Sequence, residues 1–91
     1  MIVRILGEGQ WRLPDDALEE INQLDAALED ALDGDEAGFR TALTALLDRV
    51  RSAGAHLADE ELEESDVVLP HSEATPADVR DLLTDEGLIP G

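Results

Sequence analysis

The spacing of apolar residues along this chain changes twice, and each change predicts a different element. Over residues 1–6, Met1, Val3 and Ile5 alternate with Ile2, Arg4 and Leu6, the two-residue repeat of a strand. A second short strand is expected over 10–13, after Gly7-Glu8-Gly9. A three-residue loop at 7–9 sets Ile5 opposite Trp11 and Val3 opposite Leu13, giving one apolar face, whereas a two-residue loop sets Ile5 opposite Arg12 and mixes the faces. Burial favours the first register, at the cost of placing Arg4 opposite Arg12.

From Pro14 the repeat becomes helical. Asp15 and Asp16 stand where a helix N-terminus favours acids, and Ala17, Ile21, Leu24, Leu28, Ala31 and Leu32 fall on one stripe with Leu18 at its edge. Asp33-Gly34-Asp35 ends this helix and starts the next, with Gly34 expected in a left-handed position and Asp35 as N-cap. Phe39, Leu43, Leu46 and Val50, widened by Ala42, Leu47 and Ala53, carry the second stripe to Ala53 before Gly54. Glu36 precedes Arg40 by four residues, the spacing of a helical ion pair. Both helices are expected to run about 18 residues, roughly 27 Å, and to lie antiparallel across the short connection.

Residues 55–66 break the repeat. Acids surround Leu57 and Leu62, which predicts a solvated connection. Asp66-Val67-Val68-Leu69 then reads as a strand closed by Pro70, which suits a sheet edge. Thr75, Pro76 and Asp78 form a helix start as N-cap, N1 and N3, with Val79, Leu82 and Leu83 inward and Gly87 and Leu88 as the stop. The expected fold is a small α+β single domain over residues 1–91, in the order ββααβα: an N-terminal β-hairpin, an antiparallel helical hairpin, a short strand and a C-terminal helix.

Charge narrows the function more than any motif. Twenty-three acidic residues oppose six basic ones, all arginine, for a formal charge of −17. Such a field repels nucleic acid and anionic lipid headgroups and favours a protein partner with basic patches. Aromatic residues make up only 2% of the chain, so the core rests on aliphatic side chains and is small enough to gain from self-association. The first residues are too briefly apolar for a signal peptide or a spanning helix, and a cytoplasmic location is expected.

Candidate chemistry is sparse. Gly7-Glu8-Gly9 lacks the third glycine, the lysine and the strand-to-helix setting of a phosphate loop. His56 and His71 are not spaced for a shared metal, and the acidic run 59–66 lacks the ligand rhythm of a calcium loop. There is no cysteine, and Ser52, Ser65 and Ser72 lack the setting of a nucleophile. No cofactor, metal or catalytic residue is expected, and the chain reads as a non-enzyme. Trp11 is either a core residue or a partly exposed interface anchor. Arg4 and Arg12, on the opposite face of the hairpin, either satisfy local carboxylates or receive an acidic partner segment.

The opening Met-Ile-Val-Arg-Ile-Leu-Gly-Glu-Gly-Gln-Trp, the closing Ser-Asp-Val-Val-Leu-Pro and the final Asp-Glu-Gly-Leu-Ile-Pro-Gly resemble the PspAA family of small proteins associated with phage shock protein A. The Gly34-Asp35-Glu36 turn before Phe39, and Leu46-Leu47 with Val50-Arg51, follow the same pattern. Trp11 stands where the family usually has tyrosine, His71 where a second proline is common, and Pro76 where an aliphatic residue is often found. The resemblance implies a cytoplasmic accessory to an envelope-stress system whose main member is a coiled-coil, ESCRT-III-like protein assembling on stressed membranes. It carries over no catalytic residue. The expected partner is that PspA-like protein, with membrane reached only through it, and a homo-oligomer is a further expectation. The expected contact region is Arg4, Trp11 and Arg12 on the sheet, with Val67 and Leu69 on the edge strand. The alternative is an acidic regulatory module or DNA mimic that binds transcription-related proteins.

Overall fold

The computed structural model of the chain describes residues 1–58 and 63–82. Two strands, β1 (Ile2–Ile5) and β2 (Gly9–Arg12), form the hairpin. A turn of 3-10 helix at Asp15–Ala17 leads into α1 (Leu18–Ala31), followed by α2 (Glu36–Ala53), β3 (Ala55–His56), β4 (Val67–Leu69) and α3 (Pro76–Leu82). The order ββααβα therefore holds, with one two-residue strand added after α2.

The sheet order is β3-β2-β1-β4, with β4 parallel to β1 and both other pairings antiparallel. The strand before Pro70 thus lies at an edge, as its proline predicts. The hairpin register differs from the expected one by two residues: Val3 pairs with Trp11, Arg4 with Gln10 and Ile5 with Gly9. The chain reverses one residue earlier, closed by the Glu8 N–H donating to the Ile5 carbonyl at 3.0 Å, with Gly7 and Gly9 at φ +83° and +120°. A shift of two keeps every side chain on its face, so Val3, Ile5, Trp11 and Leu13 still point inward together. It also moves Arg4 away from Arg12, removing the like-charge pair.

The two long helices cover that inner face. Phe39, Leu43, Leu46, Leu47 and Val50 of α2 meet Val3, Ile5, Val67 and Leu69 of the sheet and Ile21 and Leu28 of α1 in one core, which Val79 of α3 joins. The large apolar side chains of the α2 stripe are therefore buried within the chain itself. Along α1 the fully shielded line includes Asp25 as well as Ile21 and Leu28, while Leu24 is only half-buried. An ion pair at 3.0 Å between Glu20 near the start of α1 and Arg49 near the end of α2 fits their antiparallel packing.

Helix ends follow the sequence in part. Asp35 caps α2, accepting from the Gly38 N–H at 2.7 Å. Thr75 and Asp78 form a reciprocal capping box, Asp78 N–H to Thr75 Oγ1 at 3.2 Å and Thr75 N–H to Asp78 Oδ2 at 3.0 Å. Gly34, however, is not left-handed. The end of α1 is closed by tight bonds from the Leu32 N–H to the Glu29 carbonyl and from the Gly34 N–H to the Ala31 carbonyl. Helix α1 is also shorter than expected at 14 residues, because its first turn, Asp15–Ala17, winds as 3-10 helix; α2 has the expected 18.

The Glu36–Arg40 pair does not form. Arg40 instead donates to the Ser72 and Ala74 carbonyls at 2.7 and 3.0 Å, tying α2 to the turn before α3. A charge-assisted bond to fixed carbonyls outcompetes an exposed helical pair worth only about 0.3 kcal/mol. Leu62, Leu83, Gly87 and Leu88, assigned roles from the sequence, lie outside the described residues.

Candidate functional site

With the helices on one face, the other face of the sheet carries Ile2, Arg4, Gln10, Arg12 and Val68. The segment 63–66 crosses half of it. Gln10, only 3% exposed, donates its amide to the Glu63 carbonyl at 2.6 Å and Ser65 Oγ at 2.8 Å, and its Oε1 accepts from the Glu63 N–H at 3.3 Å. Asp66 holds the other end: its Oδ2 accepts from the Ile2 N–H and its own N–H donates to the Ile2 carbonyl, both at 2.8 Å. These bonds account for a buried glutamine that apolar periodicity gave no reason to single out.

The five residues expected to form the contact region fall into two groups. Trp11 is 8% exposed and packs its ring 4.7 Å from the His56 ring, so the core reading holds. Val67 and Leu69 are 2% and 0% exposed and point into the core. These three shape the surface from beneath and offer it no side chain. Arg12 lies on the outer face, paired with Glu63 at 2.9 Å. Both side chains of that pair are about half exposed, so it contributes at most about 1 kcal/mol.

Arg4 is the exception among the arginines. Arg12, Arg49, Arg51 and Arg80 all meet carboxylates, and Arg40 meets two carbonyls. Arg4 is half-buried and has no hydrogen-bond or ion-pair partner among the described residues. The register places it between Gln10 on β2 and Val68 on β4. Val68, at 37%, is the exposed large hydrophobic among the described residues, and the half-buried Leu6 follows Arg4 on the same side of β1. Among the described residues, the half of the outer face that 63–66 leaves open is therefore one cation set among aliphatic side chains.

Elsewhere the charges are structural. Arg51 of α2 makes a two-pronged contact with Glu8 in the hairpin turn and a further bond to Asp48. Those hydrogen bonds hold the Glu8 carboxyl below the usual carboxylate range despite some opposing desolvation. The Thr75 N–H does the same for Asp78. A shallow groove along α1, lined by Asp15, Leu18, Glu19, Asn22, Gln23 and Ala26, sets two exposed carboxylates in open water. Among the described residues no cluster of three His, Cys, Asp or Glu side chains is arranged to hold a metal, and no helix is long and apolar enough to cross a membrane.

Compared with known proteins, the chain matches the family model described as PspA-Associated protein over residues 1–91. No curated protein and no solved structure matches it.

Proposed function

The chain belongs to the PspA-associated (PspAA) family, and from that premise we propose that it is a non-enzymatic, acidic adaptor of an envelope-stress response, acting in the cytoplasm by binding a PspA-like coiled-coil protein. The observation that carries this reading is the family match over the entire chain. The net charge of −17 supports it, because it disfavours direct docking on nucleic acid or anionic lipid and steers the chain toward basic protein surfaces. Membrane contact is then made by the partner. The open half of the outer sheet face, with Arg4 and Val68, is the surface offered, and Arg12 lies at its rim beside Glu63.

The test is direct mixing of the purified chain with the purified PspA-like protein of the same cell, followed by calorimetry and size-exclusion chromatography. A saturable complex whose affinity falls with added salt is expected. Absence of a complex at low and physiological salt overturns the adaptor reading. Capture of DNA-binding proteins in competition with DNA, with no PspA-like complex, replaces it with the mimicry reading.

A further inference from the structure

Strand β4 is a sheet edge whose hydrogen bonds can be assigned residue by residue. The N–H and C=O of one strand residue point to the same side, and successive residues alternate. The Leu69 carbonyl accepts from the Leu6 N–H on the β1 side at 3.1 Å, and Pro70, which follows, has no N–H to give. In the parallel register Val3 to Val67, Arg4 to Val68 and Ile5 to Leu69, Val67 and Leu69 therefore bond to β1, and the N–H and C=O of Val68 face away from the sheet. The same residue carries the exposed side chain, directly beside Arg4, which has no partner among the described residues.

We propose that the free edge of β4 takes up an extended segment of the PspA-like partner as a fifth strand, pairing main chain to main chain at Val68 and placing an Asp or Glu side chain over the outer face within reach of Arg4. The inference rests on the adaptor reading and specifies its chemistry. Strand addition supplies a donor and an acceptor that Val68 lacks among the described residues, while the carboxylate gives Arg4 the kind of partner that Arg12, Arg49, Arg51 and Arg80 already have. The flanks set a second requirement. Glu64 and Asp66 precede β4 and Glu73 follows it, all exposed, so the incoming segment carries lysine or arginine on either side of its acid. The same acids argue against a second copy of this chain as the occupant, since edge-to-edge pairing brings them together under −17 on each chain.

The test uses the full chain and the purified PspA-like protein, with affinity read by calorimetry. Val68→Pro removes the outward N–H without touching a bond to β1, and an edge strand tolerates proline there. It is expected to weaken binding about tenfold or more, whereas Val68→Thr, which keeps the main chain and the branched shape, stays within about threefold. Arg4→Glu is expected to weaken binding by at least about tenfold. A folded Val68→Pro variant that binds as the wild type does overturns strand addition, and unchanged binding by Arg4→Glu overturns the carboxylate. Should Val68→Pro unfold, amide exchange in the wild type decides: the Val68 N–H exchanges freely alone and is protected in the complex, and lack of protection overturns the proposal. If the wild-type chain forms no complex at all, the adaptor reading itself has failed, an outcome distinct from a complex that ignores these variants.

Discussion

Gly54 follows the last residue of α2, and its conformation, φ −97° and ψ 163°, is open to any residue. Space is what requires glycine. A Cβ built there lies 2.9 Å from Leu13 Cδ2, 3.0 Å from the Val50 carbonyl oxygen and 3.1 Å from Trp11 Cβ. The leucine tip can move, but the carbonyl accepts the Gly54 N–H at 2.9 Å and the tryptophan stem is fixed by the β2 ladder. Gly54→Ala therefore forces α2 and β2 apart. Overpacking of this kind costs about 1–3 kcal/mol, offset by about 0.4–1 kcal/mol from the stiffer unfolded chain, for a net loss near 1–2 kcal/mol. At about 4–8 °C per kcal/mol for a domain of this size, the melting temperature falls by about 5–15 °C. The single tryptophan reports the transition from the point of strain, so fluorescence-monitored melting is the assay. Gly34→Ala is the control: its nearest neighbour, the Ala31 carbonyl, is 3.5 Å from the added atom and its φ is not left-handed, so it melts at or slightly above wild type. Equal melting temperatures for wild type and Gly54→Ala would refute the packing argument.

Two further perturbations read the helix and turn chemistry. Asp35→Ala strips the cap from the Gly38 N–H and is expected to cost about 1 kcal/mol in urea unfolding, restored largely by Asp35→Asn or Asp35→Ser; an unchanged midpoint removes the cap from the account. Glu8 has a carboxyl lowered by Arg51, so its contribution is present above the ordinary carboxylate pKa and is lost as pH falls through the lowered folded value. Glu8→Gln should be less stable than wild type at neutral pH, by about 0.5–1 kcal/mol for a pair a third exposed, and the gap should close in acid. A gap that persists unchanged below the carboxylate range means the ion pair is not its source.

The parts of the fold legible in the sequence are those set by a local signal. The stripes through Phe39, Leu43, Leu46 and Val50, the cap at Asp35, the box at Thr75 and Asp78, and the proline closing β4 each depend on neighbours within one or two turns of chain. Hairpin parity was legible because burial distinguishes the two faces. The register within that parity was not, since a slip of two leaves the faces unchanged and only the left-handed Gly7 and Gly9 decide where the chain reverses. β3 gave no signal, because two exposed residues have no periodicity and their pairing with Trp11 and Arg12 is a tertiary event. Gln10 and Asp25 were passed over because a polar residue gains a buried place only from what surrounds it in space. The candidate surface was half legible. Alternation placed Arg4 and Arg12 outward, and the same alternation, applied to Val67, Val68 and Leu69, picks the middle residue as the outward one.

The arginines join the fold to the proposed role. In a chain with 23 acids and six cations, four arginines meet carboxylates and Arg40 meets two carbonyls, so an arginine with no partner among the described residues stands apart. Arg80 reaches back to the Leu32 carbonyl at the end of α1, Arg40 binds the turn before α3, and Arg51 joins α2 to the hairpin, so these cations fasten elements whose shared core is small. Arg4 fastens nothing among the described residues, yet it sits at the centre of the sheet face where Gln10 brings Glu63 and Ser65 close on one side. Folding alone would favour an aliphatic residue there, next to Ile2 and Val68. A half-buried cation in that position carries a desolvation cost that no described residue offsets with a hydrogen bond or ion pair, and an arriving carboxylate recovers it.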